Sequence, residues 1–264
     1  MNSYCTLSDL KSYLIGAATS GDDVLLQRML DAATARIDSR TGRNFYASAD
    51  TTRYHDISWI IDAQLQLDGD LAHLTSVING DSVNITAAIY QTPRRGPAYA
   101  LGILSSQPYS WTYATDPQSA IGVTGRWAFM DKAPFTAISR VTGTALVTAT
   151  MNAPAYSVGQ NIEVVSVADT SFNGSFVVTA VGATSVTWSQ AGATDTDTTG
   201  YILSAPLDIV TACRRLAAWM YKQKDTQMGD TDRPVMAGDG FIIMPTTLPA
   251  DVEMILKPYI RAVV

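Results

Sequence analysis

Charged residues are scarce in this 264-residue chain, where Asp, Glu, Lys and Arg together make up 16%. Beside an apolar content of 47%, that scarcity excludes a self-repelling disordered polypeptide and predicts a folded protein with a surface rich in Ser, Thr, Gln and small residues. Basic residues are the rarer sign, 18 against 24 acidic, giving a net charge of −6. This is the opposite of the footprint that tight duplex-DNA binding requires. The adjacent basic pairs, Arg94-Arg95 and Arg214-Arg215, are too isolated to form a phosphate track.

Long apolar runs are missing too. None approaches the roughly 18 residues a bilayer-spanning helix needs, and MNSYCTLSDL has neither the basic start nor the apolar stretch of a signal peptide, so no membrane role is expected. The two cysteines, Cys5 and Cys213, are far apart in sequence and form no CxxC, which argues against a zinc ribbon. In a reducing cytosol they are expected to be small buried apolar residues. The two histidines, His55 and His73, stand outside any HExxH or Cys-rich pattern, and no phosphate-binding GxxxxGK[ST] or dinucleotide-binding GxGxxG occurs. The expectation is a protein that is not an enzyme and carries no cofactor or metal. TDTDTTG at 194–200 and GDTDRP at 229–234 only faintly resemble calcium loops, lacking the glycine spacing and the late Glu, and are expected to be solvated turns.

What is present divides sharply by pattern. TLSD offers Thr6 as an N-cap for a short helix carrying Leu10, Tyr13 and Leu14 on one face, ended by Gly16. SGDD begins a longer helix with Leu26, Met29, Leu30, Ala33 and Ile37 at three- and four-residue intervals, stopped by Gly42. From Thr51 the chain changes to short alternating runs, with LDGDL and INGDS expected as tight turns, which predicts a small, mostly antiparallel β region. Between about 137 and 204 it becomes a series of Thr-, Val- and Gly-rich strands with no helical period, the pattern of a small β-sandwich. Helical period returns in PLDIVTACRRLAAWMYKQKD, where Trp219 and Tyr221, like Trp127, are expected to pack in the core. A loop follows, MGDTDRPVMAGDGFIIMP. A final short helix then carries Val252, Ile255, Leu256, Tyr259 and Ile260 as its apolar stripe and is bent or ended by Pro258.

The stretch WAFMDKAPFTA promises a helix that arrives only after residue 203. Setting 138–203 aside restores continuity, which predicts a discontinuous domain of residues 1–137 and 204–264 interrupted by an inserted β domain at 138–203. The expected fold class is α+β: a helical bundle core with a small antiparallel sheet, plus an all-β insert.

Without the insert, the succession YCTLSDLKSYL (4–14), DDVLLQRMLDAATARIDSRTGRNF (22–45), LDGDL (67–71), INGD (78–81), VTGRW (123–127), LDIVTACRRLAAWMYKQKD and LPADVEMILKPYIR (248–261) resembles the head-to-tail connector (adaptor) proteins of long-tailed bacteriophages. The insert, with YSVGQNIEVVSVADTSFNGSFVVTAVGATSVTWSQ, is similar to the Ig-like modules of phage structural proteins. The resemblance implies a virion protein of the neck, made in the host bacterial cytoplasm. It implies a ring, twelve copies in the family, beneath the portal protein, followed by a tail or stopper protein, with genomic DNA passing through without tight binding. It also implies docking on the portal through the C-terminal segment, here Met254, Ile255, Leu256, Tyr259, Ile260, Arg261, Val263 and Val264. Arg215 and Lys222, seven apart on one helix, are candidates for contact between subunits. Two alternatives stay open: a tail-completion or stopper protein, and a virion protein whose insert binds glycans weakly. A tail-associated hydrolase is the enzyme alternative.

Overall fold

The structure is a computed structural model, and it describes residues 3–14, 20–94, 96–223, 235–236, 242–243 and 248–261. Four α-helices are present among these: α1 Leu7–Tyr13, α2 Asp23–Thr41, α3 Leu207–Gln223 and α4 Ala250–Leu256. The Thr6 hydroxyl accepts from the Asp9 amide at 3.2 Å and starts α1. Gly42, at φ 65°, closes α2 in the left-handed region where a side chain would be strained.

The helices converge on one core. Leu10 of α1 and Leu14 just after it, Leu26, Leu30 and Ile37 of α2, Ile209, Cys213 and Leu216 of α3, and Val252 and Leu256 of α4 are all buried in it. Ala72, Ala128, Met130, Val165 and Leu203 belong to the same cluster although they are not helical. The expected helical bundle core is not seen as such: the helices form a layer that completes its core with β residues. Seven-residue helices such as α1 and α4 bury too little to close a bundle by themselves.

Residues 51–127 form a six-stranded antiparallel sheet from β1 Thr51–His55, β2 Ile60–Ile61, β3 Gln64–Ile78, β4 Ile89–Thr92, β5 Ala98–Ile103 and β6 Ile121–Trp127. Its strand order is β1-β6-β3-β5-β4, with β2 on β3. The LDGDL turn is not formed. β3 runs straight through it for 15 residues, and the register against β5 shifts between Gln66 and Leu71. The Asp-Gly pair is absorbed as an irregularity because pairing before it, to β5, and after it, to β6, holds the strand extended. INGDS does turn, with the Ser82 amide donating to the Asn79 carbonyl at 2.8 Å. At Gly125 a Cβ would sit 2.1 Å from the His73 carbonyl oxygen, so only glycine lets β6 approach β3 there.

An eight-stranded antiparallel sheet follows: β7 Asp131–Pro134, β8 Ala137–Val141, β9 Leu146–Thr150, β10 Asn161–Val165, β11 Gly174–Val181, β12 Ser185–Ser189, β13 Asp195–Asp197 and β14 Tyr201–Ser204. Its order is β13-β8-β9-β12-β11-β10-β14-β7. The strands form one continuous hydrogen-bonded path rather than the two stacked sheets of a sandwich. Ile138 near one end of that path and Ile202 near the other lie in the same buried cluster, so the sheet folds over on itself around Phe172, Val178 and Trp188. β7 precedes residue 138 yet pairs with β14, so the sheet starts earlier than the expected insert boundary. The expected turn at 194–200 contains the short edge strand β13, and the expected loop after α3 holds a two-residue pair, β15 Val235–Met236 with β16 Ile242–Ile243.

β10 and β14 present opposite faces to two cores. Val164 and Ile202 point into the β core, while Val165 and Leu203 belong to the helical core.

Leu216→Ala empties a fully buried site in α3. It is expected to cost about 2–5 kcal/mol, measured by urea unfolding, whereas Val24→Ala, at 66% exposure on α2, changes stability by about 0.5 kcal/mol or less.

Candidate interaction surface

Arg215 and Lys222 share one cavity, whereas Arg261 of the C-terminal segment lines another with Asp38, Arg43 and Asp70. Arg215 and Lys222 lie on α3 and line a cavity of about 240 Å³ together with Tyr13, Trp219, Asp251 and Val252. Arg215 is ion-paired with Asp251 of α4, and both are about 40% exposed. Such an exposed pair contributes at most about 1 kcal/mol. Lys222 is exposed and makes no ion pair among the described residues. Next to Arg215, Arg214 bonds Asp9 at 3.0 Å and lies 5.1 Å over the Tyr13 ring, fastening α1 to α3. Arg40 of α2 pairs with Glu253 of α4.

The C-terminal candidates separate into two groups. Leu256 is fully buried, and Ile255 and Tyr259 pack on the helical core. The Tyr259 ring meets Phe45 at 5.5 Å and Phe129 at 5.7 Å, both edge to face. Its carbonyl accepts from Arg43 Nε at 2.8 Å, and the Arg261 amide donates to the Thr41 carbonyl at 2.8 Å. Arg43 also pairs with Asp70 of β3 and stacks 4.9 Å over Phe129. Met254, Ile260 and Arg261 face outward, with Met254 76% exposed. Val263 and Val264 lie outside the described residues, as do Gly16, Arg95 and GDTDRP.

A second polar constellation, which the sequence reading missed, joins the six-stranded sheet and the helices to the eight-stranded sheet. Glu163 of β10 is fully buried, accepts from the Tyr46 hydroxyl, and lies 3.6 Å from Arg126 of β6. Arg126 holds Asp50 at 2.7 Å. Burial pushes the Glu163 carboxyl above its ordinary value, with Arg126 and the Tyr46 and Ser175 hydroxyls opposing that rise. Nearby, His73 Nδ1 lies 3.4 Å from Lys132 Nζ, and its Nε2 lies 3.0 Å from Ser166 Oγ. The ammonium has only protons to offer, so Nδ1 accepts and Nε2–H donates. Burial and the Lys132 charge lower the His73 pKa to about 4. His55 is buried and stacks on Trp127 at 5.7 Å, and burial lowers its pKa as well. His73 is therefore a neutral hydrogen-bonding group at neutral pH, and His55 is a packing group.

Among the described residues no group of three or more His, Cys, Asp or Glu side chains could hold a metal ion. Asp197 is half-buried, and the backbone amides of Asp169 and Thr199, which donate to it, lower its pKa to about 2. No described helix is long and apolar enough to cross a membrane.

No family model matches the chain, and no curated protein matches it. Among solved structures, it is similar to a chain in the neck of an empty GTA particle computed with C6 symmetry. The two share 13% identity at a TM-score of 0.42, over 99% of this chain and 91% of that one.

A carboxyl whose folded-state pKa is raised binds its proton more readily in the native state than in the unfolded one. Glu163 therefore favours the native state below its ordinary value of 4.5, and that advantage is lost as pH rises through the raised value. Glu163→Gln does not titrate, so its stability relative to the parent protein should increase between pH 4 and pH 8 in parallel urea titrations. A pH-independent difference would show that Glu163 titrates alike in both states.

Proposed function

We propose that the chain is a structural, non-catalytic neck protein of a phage-like particle. Its copies form a ring, twelve by the connector resemblance, beneath the portal protein, joining head to tail and extending the DNA channel. The observation that carries this reading is the common core of α1 and α2 with α3 and α4. The segments that resemble the connector family come from both ends of the chain, and they act as one scaffold only if they pack together. A closed ring needs two different patches on each subunit. The α3–α4 cavity around Arg215 and Lys222 supplies one, and the exposed Met254, Ile260 and Arg261 supply a portal-facing edge. The net charge of −6 suits a channel through which phosphates must slide without being held. The inserted β domain, which takes in β7 as well as residues 138–203, projects outward from the ring in this reading, because a narrow lumen has no room for it.

A second reading, glycan binding by the β insert, is favoured by a cavity of about 570 Å³ whose lining includes Tyr46, Asn161, Ser175, Phe176, Thr179 and Ser189 and no charged side chain. Binding of the protein to a glycan array, lost on Phe176→Ala, would support it.

Negative-stain imaging and sedimentation of the protein with and without its portal test the main reading. Rings are expected only on the portal. Met254→Asp is expected to weaken portal binding at least tenfold, and Lys222→Glu to prevent ring closure. Each should move the midpoint of thermal unfolding by about 2 °C or less, since both sites are exposed. Salt-sensitive, submicromolar DNA binding, or no association with the portal, would overturn it.

A further inference from the structure

Cys5 and Cys213 are separated by 208 positions in the chain, yet their Sγ atoms lie 3.8 Å apart. Both are fully buried. A disulfide needs about 2.05 Å, so the gap to be closed is under 2 Å, within reach of a change in side-chain torsion and a small shift of one backbone. The two backbones are unequally fixed. Cys213 sits mid-helix in α3, whereas Cys5 lies in the short segment before the Thr6 cap. That segment is held by Tyr4, whose hydroxyl bonds Asp38 and accepts from the Phe45 amide at 3.0 Å. Cys213 Sγ also lies 3.7 Å from the Thr34 hydroxyl, so its sulfur has two polar neighbours able to stabilise a thiolate.

We propose that Cys5 and Cys213 are an oxidative modification site, closing to a reversible intramolecular disulfide when the protein meets a small disulfide oxidant. The chemistry is thiol–disulfide exchange. When the N-terminal segment lifts, the Cys213 thiolate attacks one sulfur of oxidised glutathione, forming a mixed disulfide and releasing one glutathione thiolate. The Cys5 thiolate then attacks the Cys213 sulfur and expels the second glutathione. Two thiol protons pass to solvent and on to the two glutathione thiolates, and two electrons pass from the cysteines to the oxidant. The cross-link ties the segment before α1 to the middle of α3, so the two ends of the helical layer can no longer separate. A protein made under reducing conditions stays open to rearrangement, and one exposed to an oxidising medium is locked. This inference is independent of the role proposed above.

The full chain, incubated in native buffer with oxidised glutathione, is analysed by intact mass and by non-reducing peptide mapping. The monomer mass is expected to fall by about 2 Da, with the peptides containing Cys5 and Cys213 joined. The midpoint of thermal unfolding should rise by roughly 5–10 °C and return on addition of dithiothreitol. Cys5→Ser should abolish all three changes. Three outcomes would overturn the proposal: both thiols staying free in the native protein while the guanidinium-unfolded protein oxidises, glutathione adducts or intermolecular dimers in place of the internal link, or a disulfide that lowers the unfolding midpoint. The mapping on the unsubstituted protein decides the matter even if Cys5→Ser fails to fold.

Discussion

A β-strand has two faces, and in β10 and β14 both are buried. Val164 and Ile202 fill the β core while their immediate neighbours, Val165 and Leu203, fill the helical core, so one pair of strands is a shared wall between the two. A slip of one residue in either strand would exchange every side chain between the cores. The register of Glu163 against Leu203, and of Val164 against Ile202, is therefore specified twice over, once from each side. That wall explains why helices of seven residues are stable here: they rest on a surface already held by an extended sheet.

Placing a wall between two cores also buries polar groups. Glu163 lies on the Val165 face of β10 and is tolerated because Tyr46 and Arg126 meet it from the helix-to-sheet connection and from β6. Breaking one partner leaves the other buried without compensation, so the cluster favours one relative placement of the two sheets over all others. His73 adds a neutral link of the same kind through Ser166.

Local signals were legible in the sequence where local physics decides. The Thr6 cap, the Gly42 stop and the apolar stripe of α3 depend on neighbours within a turn or two, and the structure holds each of them. LDGDL does not turn because the residues before it pair with β5 and those from Leu71 onward pair with β6, a constraint invisible in five residues. The expected sandwich became one folded-over sheet because strand order follows from long-range pairing rather than from spacing. Arg215 and Lys222 were readable as a helix face, but the Asp251 partner comes from 36 positions further along, and nothing in their spacing announces it. Glu163 carries no local signal of its buried partners Tyr46 and Arg126, which come from distant segments. An acidic residue amid NIEVV, an otherwise apolar run, was the one available hint.

Arg43 is the point where three parts of the molecule meet. Its guanidinium reaches Asp70 in β3, the Tyr259 carbonyl after α4 and the Phe129 ring, immediately beyond the Gly42 stop of α2. A pull applied at Arg261 is thus opposed first by Thr41 and Arg43, and through them by a long helix and the longest strand. Tension on this end of the subunit spreads into the whole scaffold instead of peeling α4 away turn by turn.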